Sequence, residues 1–234
     1  YGEDPLLVSS MGLAFIRGLQ GSDPLHLKTA AVAKHFAVNN EEDRRHNGSA
    51  SVTPGLLEGY YLPHFADAVR RGNVAGIMCA YNAVNGVPCC ANRDLLTRLL
   101  REQWGFRGYV VTDCGAIGDL VSGHGTVKTL DDAVSESVLS GVDLDCGDEF
   151  QKRLAALVKS GRLDELSISR SVERLMRILI LLGDLDPPEA SPWFRIPESI
   201  VDNPAHRELA REAARKSVVM IRNPGGILPF PRNP

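Results

Sequence analysis

At 234 residues the chain is long enough for one large domain or two small ones, and its 44% hydrophobic and 24% charged residues are ordinary for a globular protein. A formal net charge of −3 gives no reason to expect nucleic acid or an anionic membrane as partner. No apolar run approaches the roughly 20 residues of a membrane span. The five cysteines (Cys79, Cys89, Cys90, Cys114, Cys146) are too few and too scattered for a disulfide scaffold, and they contain no CxxC pair for zinc.

The first element in chain order is a helix, "DPLLVSSMGLAFIRGLQG", with Asp4 to cap it, Pro5 in its first turn and Gly18 near its end. "AVAKHFAV" (31–38) then reads as a buried strand, short, apolar and followed by polar residues. A second helix starts at Thr53-Pro54 and closes on Gly72, ahead of the strand "VAGIMCAY" (74–81). "NRDLLTRLLREQWGF" follows, with Asn92 as cap and Leu95, Leu96, Leu99 and Leu100 on one face. The strand "YVVTD" (109–113), a short helix from Asp131 to Ser140, the strand "GVDLDC" (141–146) and a helix over 167–182 complete the series. The chain opens on Tyr1-Gly-Glu-Asp-Pro, with no initiator Met, basic region or apolar signal segment. It stops just after an apparent strand, "SVVMI" at 217–221. Both ends look cut, and the cellular compartment is not readable.

Strands alternating with helices predict an α/β fold with parallel strands and right-handed crossovers. A doubly wound sheet and a TIM barrel both satisfy that order. No GxGxxG or GxxxxGK[ST] follows any strand, which removes most support for nucleotide binding. Lys34-His35, Met78 through Asn82, Asp113 and Asp143/Asp145 all fall at or near the C-terminal ends of strands, the face that holds the active site of a TIM barrel. Each has a plain structural explanation when taken alone: a solvated loop for Lys34-His35, a half-buried ring for Tyr81, a helix cap for Asp113. Strand ends in one barrel converge on one pocket, however. Two carboxylates with Lys, His and Tyr around one cavity suit sugar hydroxyls and a transition state with developing positive charge.

Six blocks in order, "YGEDPLL", "VAKHFAVNNEEDRR", "LPHFADAV", "GIMCAYNAVNGVPCCAN", "LLREQWGFRGYVVTDCGAI" and "GVDLDCG", resemble glycoside hydrolase family 3. That family holds retaining β-glucosidases and β-xylosidases. The resemblance runs from Tyr1 to about Phe230. It implies hydrolysis of terminal non-reducing β-D-glycosidic bonds by double displacement, with Asp113 as nucleophile. It places Lys34, His35, Tyr81 and Met78 on the sugar, and Glu42 with Arg45 behind them to orient Lys34, Arg44 competing for the latter position. Retaining chemistry needs a second carboxyl, about 5 Å from the first, as acid and then base. In this family that Glu comes from the α/β sandwich domain after the barrel, and no residue here can be named for it.

The resemblance therefore implies an incomplete (β/α)8 barrel over residues 1–185, followed over 186–234 by a linker and the first strand of a sandwich domain. A β-linked oligosaccharide or aryl glycoside is the implied partner, with no cofactor and no metal. The piece by itself is expected to associate through open sheet edges and to be inactive.

Departures refine this. Cys114 stands where many members carry Trp, and with "DLDCG" further on it looks more like the β-xylosidase branch. Gly59 replaces a common Glu, and "AVNNEED" after the KHF block lacks the "GHG"-type loop of the N-acetylglucosaminidase branch. Cys114 and Cys146 lie past neighbouring strand ends, either as a disulfide or as two buried free thiols. Two other functions fit: an aldolase-type barrel with Lys34 as Schiff-base lysine in a low-dielectric site, and a catalytically silent sugar-binding or structural piece.

Overall fold

The computed structural model describes residues 1–231. The chain falls into two compact units, Tyr1–Ser191 and Pro192–Pro234.

The first unit alternates helices and strands. Helix α1 (Pro5–Gln20) starts where the Asp4 carboxylate accepts the Leu6 N–H at 2.8 Å and Pro5 fills the first turn. The strands are β1 (Val32–Phe36), β2 (Ser49–Ala50), β3 (Gly76–Cys79), β4 (Ala83–Val84), β5 (Val87–Pro88) and β6 (Tyr109–Thr112). β1, β3 and β6 form one parallel sheet in that order, so each strand is joined to the next by a helical crossover, as the alternation predicts. The β1–β3 register shifts between Ala33 and Phe36, where the Lys34–His35 and Phe36–Ala37 peptide bonds are cis. β2, β4 and β5 make a small second sheet.

Thr53 caps α2 (Pro54–Leu56), and the same run continues through a π-helical turn, Leu57–Tyr61, into α3 (Pro63–Arg70). The leucine-rich run forms a π-helix, Asp94–Gln103, whose start is held by Asn92 Oδ1 accepting the Leu95 N–H at 3.0 Å. Its Leu95, Leu96 and Leu100 are buried with Phe36, Ile77 and Val110. Phe36 meets Phe65 edge-on at 5.0 Å between ring centroids. Gly108 admits the chain into β6: a Cβ there would lie 2.1 Å from the Ala75 carbonyl oxygen. Beyond β6 come α4 (Ala116–Ser122), α5 (Leu130–Ser140), α6 (Glu149–Lys159) and α7 (Glu165–Leu182). Of these, α4 and α6 have no counterpart among the elements expected from the sequence pattern. A second buried cluster, including Ile117, Leu120, Val134 and Leu157, joins α4, α5 and α6.

Three expectations need correction. The strand over 141–146 is reduced to a single parallel bridge between Val111 and Leu144. The N–H groups of Asp143 and Leu144 both go to the Val110 carbonyl, and Asp145 turns to cap α6, so no ladder can continue. The strand over 217–221 is absent: α8 (Pro204–Ser217) fills its first residue and the rest has no regular structure, with Ile221 94% exposed. A strand needs a neighbour for its backbone bonds, and none pairs with this segment among the described residues. Cysteine matters more than its count suggested, because two disulfides form, Cys79–Cys90 and Cys114–Cys146, leaving Cys89 as a buried thiol whose pKa is pushed up to about 12 by burial. The Cys114–Cys146 pair takes the bonded alternative, with a Cα separation of 4.4 Å.

Candidate active site

Asp113 is the first residue past β6. Its N–H donates to the Cys79 carbonyl of the neighbouring strand at 3.2 Å, which pins its backbone to the sheet. Its side chain is 11% exposed: His35 Nε2 lies 3.2 Å from Oδ2, the Cys114 N–H donates to Oδ1 at 2.9 Å, and the Tyr81 hydroxyl bears on the same carboxylate. Gly115, at φ 81, then turns the chain into α4, a conformation that disfavours any side chain. A stiff β-branched strand ending in a glycine turn thus delivers a nearly buried carboxylate to a fixed point.

His35 reaches that point from β1. Burial holds its imidazole below its ordinary range, against the pull of the Asp113 carboxylate, so near neutral pH it is uncharged. As the Nε2–H tautomer it donates to Asp113 without supplying a full counter-charge. Tyr81 follows β3, and its hydroxyl donates to the Cys114 carbonyl at 2.8 Å. Burial first, and then the charge of Asp113, push the phenol's ionisation up, so it stays a hydrogen-bond donor. Met78 pairs in register with Val111 and is half-buried on the face that carries Asp113 two residues later.

A second group of side chains backs Tyr81. Arg45, ion-paired to Glu42, lies over the Tyr81 ring at 5.3 Å, and the His46 ring stands 4.5 Å from it. His46 Nδ1 contacts Asp119 Oδ2 at 2.7 Å, and His124 Nε2 meets the Tyr81 carbonyl at 2.8 Å. Arg44 instead takes Glu41. No sequence pattern points to His46, Asp119 and His124: Asp119 lies 73 residues from His46 and carries no local signal.

Lys34 is exposed and shares with His35 a cavity of about 430 Å³ beside Tyr60, Tyr61 and His64. That exposure removes the low-dielectric setting a Schiff-base lysine needs. Asp143 and Asp145, grouped with the site by their strand-end positions, have structural partners instead. Asp143, with no exposed side-chain surface, accepts from Arg101 Nη2 at 2.6 Å, Arg174 Nη1 at 2.7 Å and the Val110 N–H at 2.8 Å. Asp145 accepts from Thr112 Oγ1 and from the Glu149 and Phe150 N–H groups of α6. Among the described residues no three His, Cys, Asp or Glu side chains gather as a metal site.

Residues 1–178 match the N-terminal domain of glycosyl hydrolase family 3, and the chain belongs to that family. It is 41% identical over 230 residues to a probable exo-1,4-β-xylosidase (bxlB) of Aspergillus clavatus, covering 95% of this chain and 30% of that protein. It is 38% identical over 242 residues to a xylan 1,4-β-xylosidase of Xylanibacter ruminicola, covering 100% of this chain and 28% of that protein. Among solved structures it superposes on a family 3 exo-β-xylosidase (XlnD), in complex with a xylobiose aziridine activity-based probe, with a TM-score of 0.92, 36% identity and 99% of this chain covered against 31% of that one. A β-glucosidase of Listeria innocua in complex with glucose gives a TM-score of 0.88 and 29% identity, over 98% of this chain and 32% of that one. The chain spans less than a third of each of these relatives.

Proposed function

We propose that the chain is the nucleophile-bearing part of a longer retaining exo-β-glycosidase, a β-xylosidase rather than a β-glucosidase. The observation that carries this is the Asp113 carboxylate at the end of β6, held between the His35 imidazole and the Cys114 N–H. A group so fixed can attack an anomeric carbon from one direction. The xylosidases at 38–41% identity, together with Cys114 and its bond to Cys146, support the xylose preference.

In this reading Asp113 forms a glycosyl ester as the leaving group departs, and water then releases the sugar. Lys34, His35, Tyr81 and Met78 contact that sugar; the Glu42–Arg45 pair, expected from the resemblance to orient Lys34, lies over the Tyr81 ring and backs it instead. The second carboxyl comes from outside these residues. Residues 1–185 would form part of a (β/α)8 barrel, with 186–234 leading into a sandwich domain. In the full-length enzyme Asp113→Ala should abolish turnover of aryl β-xylosides while substrate still binds. Turnover within tenfold of wild type would end the assignment.

A further inference from the structure

We propose that the Cys114–Cys146 disulfide is a positioning element for catalysis, fixing the one residue whose backbone orients both Asp113 and Tyr81. The inference rests on Asp113 being the nucleophile.

The backbone of Cys114 faces two site residues at once. Its N–H donates to Asp113 Oδ1 at 2.9 Å and its carbonyl accepts the Tyr81 hydroxyl at 2.8 Å. A shift of this backbone would therefore disturb the nucleophile and the tyrosine together. Packing does not hold it, because Cys114 and Gly115 are both exposed. What holds it is a clamp onto residues 145–146. The disulfide joins Cys114 to Cys146, the Gly115 N–H donates to the Cys146 carbonyl at 2.9 Å, and the Cys146 N–H donates to Thr112 Oγ1 at 2.9 Å. The far side of the clamp is firm, since Asp145 caps α6 through the Glu149 N–H at 2.9 Å. The control is a helix cap whose hydrogen bonds are local: Thr129 Oγ1 accepts the Asp132 N–H at 3.1 Å at the start of α5.

Positioning and mere stabilisation predict different kinetics. Displacing a reacting group by about 1 Å costs up to roughly a hundredfold in the chemical step while leaving ground-state binding nearly intact. The test is inactivation of the full-length enzyme by a 2-fluoro β-xyloside, which separates binding (KI) from covalent attack (kinact). Cys146→Ser should lower kinact by about tenfold or more, a larger factor than any rise in KI. Thr129→Ala, which costs stability by removing that cap, should leave kinact unchanged. A Cys146→Ser variant with the wild-type kinact overturns the proposal, as does an equal fall in both variants.

Wild-type enzyme supplies a second arm that needs no variant to fold. A water-soluble phosphine converts the exposed S–S bond to two thiols, with protons from water, and is itself oxidised to the phosphine oxide. Alkylation and mass spectrometry of an aliquot show that Cys114 and Cys146 are the residues opened. In the remainder kinact should fall and then recover on reoxidation; an unaltered kinact contradicts the proposal. Label on Asp113 in wild type together with a normal kinact in Cys146→Ser sinks the crosslink inference alone. Label on another carboxylate sinks the nucleophile assignment itself.

Discussion

Replacing Asp143 with alanine should destabilise the protein more than any substitution at the proposed site. The carboxylate has no exposed side-chain surface and satisfies Arg101, Arg174 and the Val110 N–H together. Its removal leaves the Arg101 guanidinium, 11% exposed, with the Gly108 and Gly141 carbonyls and the Phe106 ring but no carboxylate. Breaking a buried ion pair from one side costs about 3–5 kcal/mol, and an orphaned buried N–H adds about 1–3 kcal/mol. The two share one desolvated pocket, so about 4 kcal/mol is a fair lower figure. Against a total stability of about 5–15 kcal/mol that is a large fraction. At about 2–4 °C per kcal/mol for a domain of this size, Tm should fall by roughly 8–16 °C. Thermal and urea unfolding of the full-length enzyme read this directly. Asp143→Asn, which keeps the shape and one acceptor, should fall between. Arg101→Met/Asp143→Leu should recover only part of the loss, because the buried Arg101 charge is gone but Arg174, 27% exposed, loses its carboxylate and the Val110 N–H stays unpaired. An Asp143→Ala variant melting within about 2 °C of wild type would refute this reasoning.

His35 and His64 are both held below their ordinary range by burial, so their stabilising contribution is fully present above about pH 6.5 and is lost as pH falls through their lowered folded values. Unfolding midpoints should drop on that acid limb, and His35→Gln/His64→Phe should flatten it; an equally steep limb in the double variant contradicts the prediction. Residues 1–234 expressed alone should hydrolyse an aryl β-xyloside no faster than background, because the proposed acid/base carboxyl lies elsewhere. Saturable turnover would place that carboxyl within these residues.

Much of the fold is legible where the signal is local. Asp4, Thr53 and Asn92 are capping residues in the sequence and capping residues in the structure. The three apolar runs ending near Phe36, Cys79 and Thr112 pair in parallel because helices separate them. "GVDLDC" misleads because its period-two pattern comes from polar anchors, with Asp143 on two arginines and Asp145 on a helix start, and not from a half-buried ladder. "SVVMI" misleads because β propensity has no effect without a neighbouring strand. At the site, Asp113, His35 and Tyr81 lie at the ends of paired strands, and the sheet itself brings them together. His46, Asp119 and His124 meet Tyr81 through loops, whose course is set by tertiary packing and leaves no periodic trace. The Cys79–Cys90 bond is illegible for the same reason: sequence spacing alone does not give Cα separation, here 5.3 Å.

The most direct measurement is the site of covalent attack. Full-length enzyme trapped with a 2-fluoro β-xyloside, digested and sequenced by mass spectrometry, should carry one glycosyl group, on Asp113 within "VVTDCG". A stable label on any other carboxylate, or complete turnover without a trapped ester, would contradict the account.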